Sequence, residues 1–281
     1  MRVLQLDAGG DMRGGQWQAL RLIEGLAAEG VESTLLALAG SPLFDAARRE
    51  GWRVEPINLL RTLACARTHD LLHAHDARGH AFGLFATRRP LLVSRRVAFP
   101  VRSRWKYSRP ARFLAVSEFV KSVLTEGGVP ADKITVIYDG VPLLEQSHGS
   151  QIIALRKDGV APELDLAISQ HLESDLRDAA ILVYLTASEG LGSGALLAMS
   201  AGVPVIASRV GGLPEVVHHR ETGLLVENTA ESVVAAIREL TEDRTLARRL
   251  GEAGRRAVSE RFTVQHMVRR TMEVYIQALS S

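Results

Sequence analysis

The stretch from 188 to 208, SEGLGSGALLAMSAGVPVIAS, decides the fold. One carboxylate, Glu189, stands at the mouth of a small-residue turn, and the nineteen residues from Gly190 to Ser208 carry no charge. The run before it, ILVYLTA (181–187), has the length and apolar character of a buried strand, and GVPVIAS (202–208) reads as the next one. Between them a helix is expected to start near Ser193. This is a strand–turn–helix–strand unit, and in open α/β sheets ligands collect just beyond the carboxyl ends of the strands, where Glu189 falls. The glycines of GLGSG let backbone N–H groups face outward without β-carbons in the way. A helix starting there aims its free N–H groups and positive dipole end at an anion such as a phosphate. A carboxylate would repel that anion, unless it accepts hydrogen bonds from neutral hydroxyls as a sugar offers. The pairing therefore hints at a sugar phosphate; the competing reading is a tight turn with an exposed glutamate.

Outward from this unit the same alternation continues. RVLQLDA, GVESTLLALAG, WRVEPINL, DLLHAHD, PLLVSRR, RFLAVSE and DKITVIYDG read as strands, separated by helical stretches. In the first of these, Trp17, Leu20, Ile23, Leu26 and Ala27 are expected to share one face, and Ser117 is expected to cap the helix of SEFVKSVLTEGG. Such spacing implies βαβ units and parallel sheets, whose strands are continuous apolar runs because both faces are covered. PLLEQSHGS (142–150) is polar and turn-rich, a linker between two halves, and the last helix places Val264, Met267, Val268, Met272, Tyr275 and Leu279 along one stripe.

Composition narrows the class. The chain has 281 residues, 46% of them hydrophobic and 23% charged, which is ordinary for a globular protein with a sizeable core. The single cysteine, Cys65, excludes an intrachain disulfide and a thiolate cluster, favours a reducing compartment, and reads as a small buried hydrophobe. No signal pattern opens the chain and no apolar run reaches the ~20 residues of a membrane span, so a cytoplasmic location is expected. Charge is unevenly placed: residues 1–145 carry 20 Lys/Arg against 15 Asp/Glu, whereas residues 146–281 carry 14 against 17. Residues 77–117 hold ten basic side chains, from Arg78 and Arg88 to Arg109 and Arg112, and no acidic one. This stretch is either a solvated basic loop or a patch for an anionic acceptor, a phosphate-bearing substrate or an acidic membrane surface. Nucleic acid is not expected, because no nucleic-acid motif accompanies the patch.

GGDMRGGQWQAL (9–20) is a second glycine-rich strand-to-helix turn. It lacks G-x-G-x-x-G spacing, and only its combination with the 188–208 unit is informative. That combination carries a family resemblance. SEGLGSGALLAMSAGVPVIASRVGGLPEVV (188–217), ETGLLVEN (221–228) and ERFT (260–263) resemble the carboxyl-terminal signature of retaining, nucleotide-sugar-dependent GT-B glycosyltransferases of the family 4, or group 1, type. GGQWQALRLIEGLAAEG (14–30), DLLHAHD (70–76) and FLAVSEFVKSVLTEGGVPADKITVIYDGV (113–141) resemble the amino-terminal half of the same family.

The resemblance implies an α/β, GT-B-like architecture of two Rossmann-like domains around a cleft. The expected boundaries are 1–143 for the acceptor-side domain, 144–262 for a shortened donor-side domain, and 263–281 for a helix crossing back to the first. It implies transfer of a sugar from a nucleotide-diphosphate donor to an acceptor hydroxyl with retention, with an anionic glycolipid or polysaccharide precursor as acceptor and a place in cell-envelope glycan biosynthesis. No metal or other cofactor is expected. By position, Glu189 matches the first acid of the family's Glu-x7-Glu motif, which addresses the donor sugar. Gly190, Leu191, Gly192, Ser193 and Gly194 match the turn around sugar hydroxyls and diphosphate, and Gly14 and Gly15, also expected to bind the donor, match the amino-terminal glycine loop near the diphosphate and acceptor.

Three departures qualify the match. Leu197 stands where the motif's second acid would grip the ribose hydroxyls. The family's spaced basic pair is represented by the adjacent Arg156 and Lys157, and several dozen residues that should follow are missing. The strand that often delivers an active-site histidine carries Arg95 and Arg96, which are assigned to the acceptor side. In HAHDARGH, His73 and His75 share a face if they stay in a strand; they are satisfied strand-end histidines, metal ligands or cleft residues, and His75 is the preferred catalytic candidate. Peripheral contact with the inner face of a membrane and a homodimer covering open sheet edges remain as expectations. The alternative function is a catalytically silent relative that binds nucleotide or glycan, or serves as a partner subunit.

Overall fold

A computed structural model describes residues 1–86, 89–157 and 159–280. Arg88 of the basic stretch lies outside the described residues. The chain divides into two compact units, Met1–Tyr138 together with Val264–Ser281, and Asp139–Thr263, so the division falls at 138/139 rather than 143/144.

The first unit runs β1 (Arg2–Asp7), α1 (Gly14–Ala28), β2 (Glu32–Ala37), α2 (Pro42–Arg49), β3 (Val54–Pro56), α3 (Leu59–Ala66), β4 (Leu71–Ala74), α4 (Ala77–Gly83), β5 (Leu91–Arg95), α5 (Arg104–Ser108), β6 (Arg112–Ala115), α6 (Glu118–Glu126) and β7 (Ile134–Val136). Its seven strands lie in the order β3-β2-β1-β4-β5-β6-β7, and every pair is parallel. The order reverses between β1 and β4, which places the topological switch point at their carboxyl ends. Local chemistry starts the helices: Ser41 Oγ accepts from the Phe44 N–H with Pro42 following, and Ser117 Oγ accepts from the Val120 N–H at 3.0 Å.

The buried face of α1 is Gln16, Gln18, Ala19, Leu22, Ile23 and Leu26. Trp17 is instead exposed, and so is Ala27. The expected stripe is corrected because this helix packs on β2, α2 and the last helix of the chain, and its buried arc is shifted toward Leu22. The poorly patterned residues before β4 form α3, where Cys65 is only half-buried.

The second unit runs β8 (Gln151–Arg156), β9 (Ala167–Ile168), α7 (Leu172–Asp175), β10 (Ala179–Leu185), α8 (Ser193–Ser200), β11 (Val205–Ser208), α9 (Leu213–Val216), β12 (Leu224–Val226), α10 (Ala230–Glu242) and α11 (Arg244–Arg261). The sheet order is β12-β11-β10-β8-β9, again all parallel, with the switch point between β8 and β10. Ala154, Val183, Leu185, Ile206 and Leu224 form its core with Val233, Leu240 and Leu250.

The last helix, α12 (Val264–Leu279), belongs to the first unit. Met267, Val268, Val274, Tyr275 and Ala278 join Val3, Leu22, Leu26, Leu71, Leu92 and Leu114 in one core. α1 and α12 approach closely at Gly25, where a β-carbon would collide with Val268. Among the described residues no helix is long and apolar enough to cross a membrane.

Candidate functional site

In the second unit, adjacent parallel strands deliver two opposite charges to the switch point. β8 ends at Arg156 and β10 at Leu185, and these residues are register partners. Lys157 follows the first strand directly, and Glu189 comes four residues after the second. Lys157 Nζ lies 3.0 Å from Glu189 Oε2. The Tyr184 hydroxyl donates to the same carboxylate oxygen, and Lys157 Nζ lies 3.0 Å from the Tyr184 oxygen. Glu189 Oε1 accepts the Gly190 N–H at 3.0 Å. A carboxylate offers about four acceptor positions, so the three donors leave room for one more. The glutamate side chain is 17% exposed and the lysine side chain 53%. Their ion pair at this exposure contributes little stability, about 0–1 kcal/mol. Its value lies in placement.

The turn that follows is fixed by backbone contacts. The Gly212 N–H donates to the Glu189 carbonyl at 3.1 Å. Gly192, with φ of 105°, starts α8 without a side-chain cap. Ser193 and Gly194 therefore open a helix whose first N–H groups meet no capping side chain, the arrangement that receives anions. Leu191 and Leu197 are buried, Leu197 at 8% exposure. Arg156 is engaged elsewhere: its guanidinium donates to the Ala161 and Leu164 carbonyls at 3.1 and 2.8 Å, pinning the loop after β8. The adjacent basic pair thus splits, with Lys157 at Glu189 and Arg156 holding the backbone.

The first unit gathers a second cluster at its own switch point. Asp7, at the end of β1, is fully buried and accepts from the Gly9 N–H at 2.8 Å and from Gln16 Nε2 at 3.1 and 3.0 Å. Burial raises its pKa, against the lowering effect of the Gly9 N–H. His75 follows β4. Its Nε2 lies 2.7 Å from Gln5 Oε1, a pure acceptor, so Nε2 carries the proton and Nδ1 faces Arg96 Nη1 at 3.4 Å. Burial first, then His73 and Arg96, push the His75 pKa well below its ordinary value, and the ring is neutral.

His73 packs against His75 with ring centroids 4.2 Å apart, so the two do share a face. His73 is held by Tyr275 of α12 at 2.6 Å and Ser94 at 2.8 Å, and burial lowers its pKa to about 3. It is a structural histidine. Arg96 Cδ lies 3.9 Å from where Gly15 would carry a β-carbon, so Gly14, Gly15, Arg96 and His75 fall in one neighbourhood. Arg95 points elsewhere, to the Tyr107 hydroxyl at 2.9 Å and the Phe99 carbonyl. Among the described residues no group of three or more His, Cys, Asp or Glu is arranged to hold a metal ion.

Sequence reasoning missed Tyr184, Asp7 and Gln16. Tyr184 was hidden inside an apolar strand, where its phenol looks like core. Asp7, immediately before two glycines at a strand end, carried a readable signal.

Residues 167–257 match the family described as glycosyl transferases group 1, and residues 12–144 match glycosyltransferase family 4, together about four fifths of the chain. The chain belongs to the group 1 glycosyltransferases. Its curated relatives include an alpha-maltose-1-phosphate synthase of Mycolicibacterium smegmatis, 34% identical over 47% of this chain and 36% of the relative. A GDP-mannose-dependent alpha-(1-6)-phosphatidylinositol monomannoside mannosyltransferase of Mycobacterium tuberculosis is 49% identical over 25% of this chain and 19% of the relative. The chain therefore spans about a third or less of the length of these relatives. Among solved structures, Anabaena HepE in complex with UDP superposes with a TM-score of 0.80 at 17% identity, covering 99% of this chain and 100% of that one. A glycosyltransferase from Rickettsia africae gives 0.83 at 18%, covering 99% and 98%. These likenesses show the GT-B architecture of two parallel-sheet, Rossmann-like units.

Proposed function

We propose that this group 1 glycosyltransferase moves a sugar from a nucleotide-diphosphate donor to an acceptor hydroxyl with retention. The observation that carries the reading is the meeting of Glu189 and Lys157 at the β8/β10 switch point, beside the uncapped start of α8. Glu189 accepts hydrogen bonds from donor-sugar hydroxyls. The Lys157 ammonium and the first N–H groups of α8 face the diphosphate and stabilise the charge that develops as it departs, the largest single contribution expected of such a site. Donor arrival moves Lys157 from the carboxylate to the phosphates and frees Glu189 Oε2 for the sugar. His75 and Arg96 form the acceptor side on the first unit, beside the glycine loop of Gly14 and Gly15, and neutral His75 serves there as a hydrogen-bonding group. The acceptor is an anionic glycan or glycolipid precursor of the cell envelope, a reading supported by the mycobacterial relatives and by Arg96. The chemistry needs no metal, because Lys157 and the helix supply the positive charge.

Calorimetric titration with uridine, guanosine and adenosine diphosphates and their sugars tests this. Binding of one donor, with slow hydrolysis that disappears in Glu189→Ala, is expected; no binding by any of them refutes the reading. Leu197 favours one second reading. An apolar, buried side chain on α8 cannot accept ribose hydrogen bonds, which weakens nucleotide binding and supports a catalytically silent relative that binds nucleotide or glycan, or serves as a partner subunit.

A further inference from the structure

Arg96, beside Gly15, stands at one end of a buried line of hydrogen bonds whose members lie far apart in the sequence. Its Nη1 lies 3.4 Å from His75 Nδ1, and His75 Nε2 lies 2.7 Å from Gln5 Oε1. Gln5 belongs to β1 and is the register partner of His73 in β4. The Gln5 side chain also bonds the hydroxyl of Tyr275 in α12, and that hydroxyl lies 2.6 Å from His73 Nδ1. His73 Nε2 ends the line, 2.8 Å from Ser94 Oγ of β5. Gln5, His73 and Tyr275 are fully buried, and His75 and Ser94 nearly so.

Donor and acceptor chemistry gives the line one direction. A guanidinium can only donate, so His75 Nδ1 accepts and Nε2 carries the proton. That proton goes to the Gln5 carbonyl oxygen, which leaves the Gln5 amide group to donate. One of its N–H groups reaches Ser33 Oγ at 3.4 Å, and the other the Tyr275 oxygen. The Gln5 contact favours the ionised phenol, as a donor does, while burial keeps the phenol protonated. Tyr275 therefore has a proton to give, and His73 Nδ1 takes it. The proton of His73 then sits on Nε2 and goes to Ser94. In this order each buried donor of the line meets an acceptor. With the Gln5 amide turned round, its N–H would meet the His75 N–H. His75 could relieve that clash only by moving its proton to Nδ1, against Arg96.

We propose that Tyr275 is a positioning residue for the acceptor side: through Gln5 it holds His75 with the Nδ1 lone pair toward Arg96, and so aims the guanidinium beside Gly15. Its meaning for catalysis rests on the acceptor-side reading of His75 and Arg96. The same hydroxyl acts by a second route, because His73 packs on the His75 ring with centroids 4.2 Å apart. Tyr275→Phe keeps the edge-to-face packing on His73 and removes only the phenol oxygen. The Gln5 amide then loses the acceptor that fixes its orientation, and both tautomers of His75 become accessible.

Long-range proton–nitrogen NMR on the full chain, labelled in its histidine and arginine nitrogens, tests this at neutral pH. In the wild type both His73 and His75 are expected to be protonated on Nε2, and the Tyr275 hydroxyl proton to contact His73 Nδ1. In Tyr275→Phe the His75 Nδ1 signal shifts toward the protonated range, and the separate N–H signals of the Arg96 guanidinium merge. Ser94→Ala removes a partner of His73 without touching Gln5 and is expected to leave His75 and Arg96 as in the wild type. Melting temperatures establish that the variants fold. A wild-type proton on Nδ1 of either histidine overturns the proposal, and needs no variant. An unchanged His75 in folded Tyr275→Phe also overturns it, as does the same His75 shift in Ser94→Ala, which would mark a general loosening. The tautomers are read without donor or acceptor, so this result and the glycosyl-transfer reading can each fail alone.

Discussion

Glu189 is held by three donors of different kinds: a mobile ammonium, a buried phenol and its neighbour's backbone N–H. Only the ammonium is free to leave, because Tyr184 is rooted in β10 and almost fully buried. The phenol thus fixes one oxygen of the carboxylate, and in the proposed mechanism Lys157 exchanges between it and the donor phosphates. Glu189→Gln keeps the shape and removes the charge. It is expected to lower donor turnover about 10²–10³-fold while nucleoside diphosphate affinity moves only a few-fold, measured by hydrolysis and calorimetry on the same preparation. Equal losses in both would show that Glu189 addresses the nucleotide rather than the sugar. Tyr184→Phe removes one hydrogen bond to a charged group, which costs about 1.5–3 kcal/mol. Turnover should fall about ten-fold or more with KM for the donor little changed. A raised KM at unchanged kcat would instead make the phenol a ground-state binding group.

At the scale of elements, the start of α8 depends on one backbone conformation. Gly192 has φ of 105°, and a β-carbon there would press against Leu213 of α9. Gly192→Ala is therefore expected to cost about 2–3 kcal/mol by chemical denaturation and to weaken diphosphate binding with it. A stable variant with unchanged affinity would mean that α8 does not present its N-terminus to the ligand. This unit was legible because each of its signals is local: an apolar strand, a glycine turn, an uncharged helix and a second strand follow one another in 28 residues, Ile181–Ser208. Where the deciding contact is remote in the chain, the signal vanished. The α1 stripe was misassigned at Trp17 because the buried arc depends on α12, some 250 residues later, and no periodicity within α1 carries that information. Arg156 and Lys157 are neighbours of identical charge, and only the path of the loop through Ala161 and Leu164 separates their roles. α3 and α5 are short and bury little, only Thr62 and Ala66 in α3 and nothing in α5, so neither announces itself by a long apolar stripe.

The whole molecule distributes its buried ionisable groups unequally. His73, His75 and His80 all lie in the first unit, fully or almost fully buried, and burial lowers each pKa, to about 3 for His73 and His80. His80 Nε2 has no hydrogen-bond partner, so a proton there would be unsatisfied. In the unfolded chain the same side chains take up protons near pH 6.5. Stability is therefore fully present above that value and is lost as pH falls toward the folded-state values, by about 1.4 kcal/mol per pH unit for each histidine. Asp7 works in the opposite direction. Its raised pKa makes the folded state the better proton binder above the unfolded value, but it is one group against three. The second unit differs: Asp175 has a pKa lowered first by its hydrogen bond from Ser169, a contribution that disappears only as pH falls below the ordinary carboxylate range. Between pH 7 and 5 His73 and His80 should thus cost the first unit about 4 kcal/mol, with His75 acting in the same direction and Asp7 against it. Calorimetric scans at pH 7, 6 and 5 are expected to show a transition that moves down steeply, separating from one that moves little. His80→Phe removes the unsatisfied nitrogen between the Tyr107 and Phe113 rings and should flatten the steep transition's pH dependence, by about 2 kcal/mol between pH 7 and 5. If both transitions track together, or the His80 variant keeps the full slope, these histidines are charged in the folded protein and the tautomer assigned to His75 beside Arg96 is wrong.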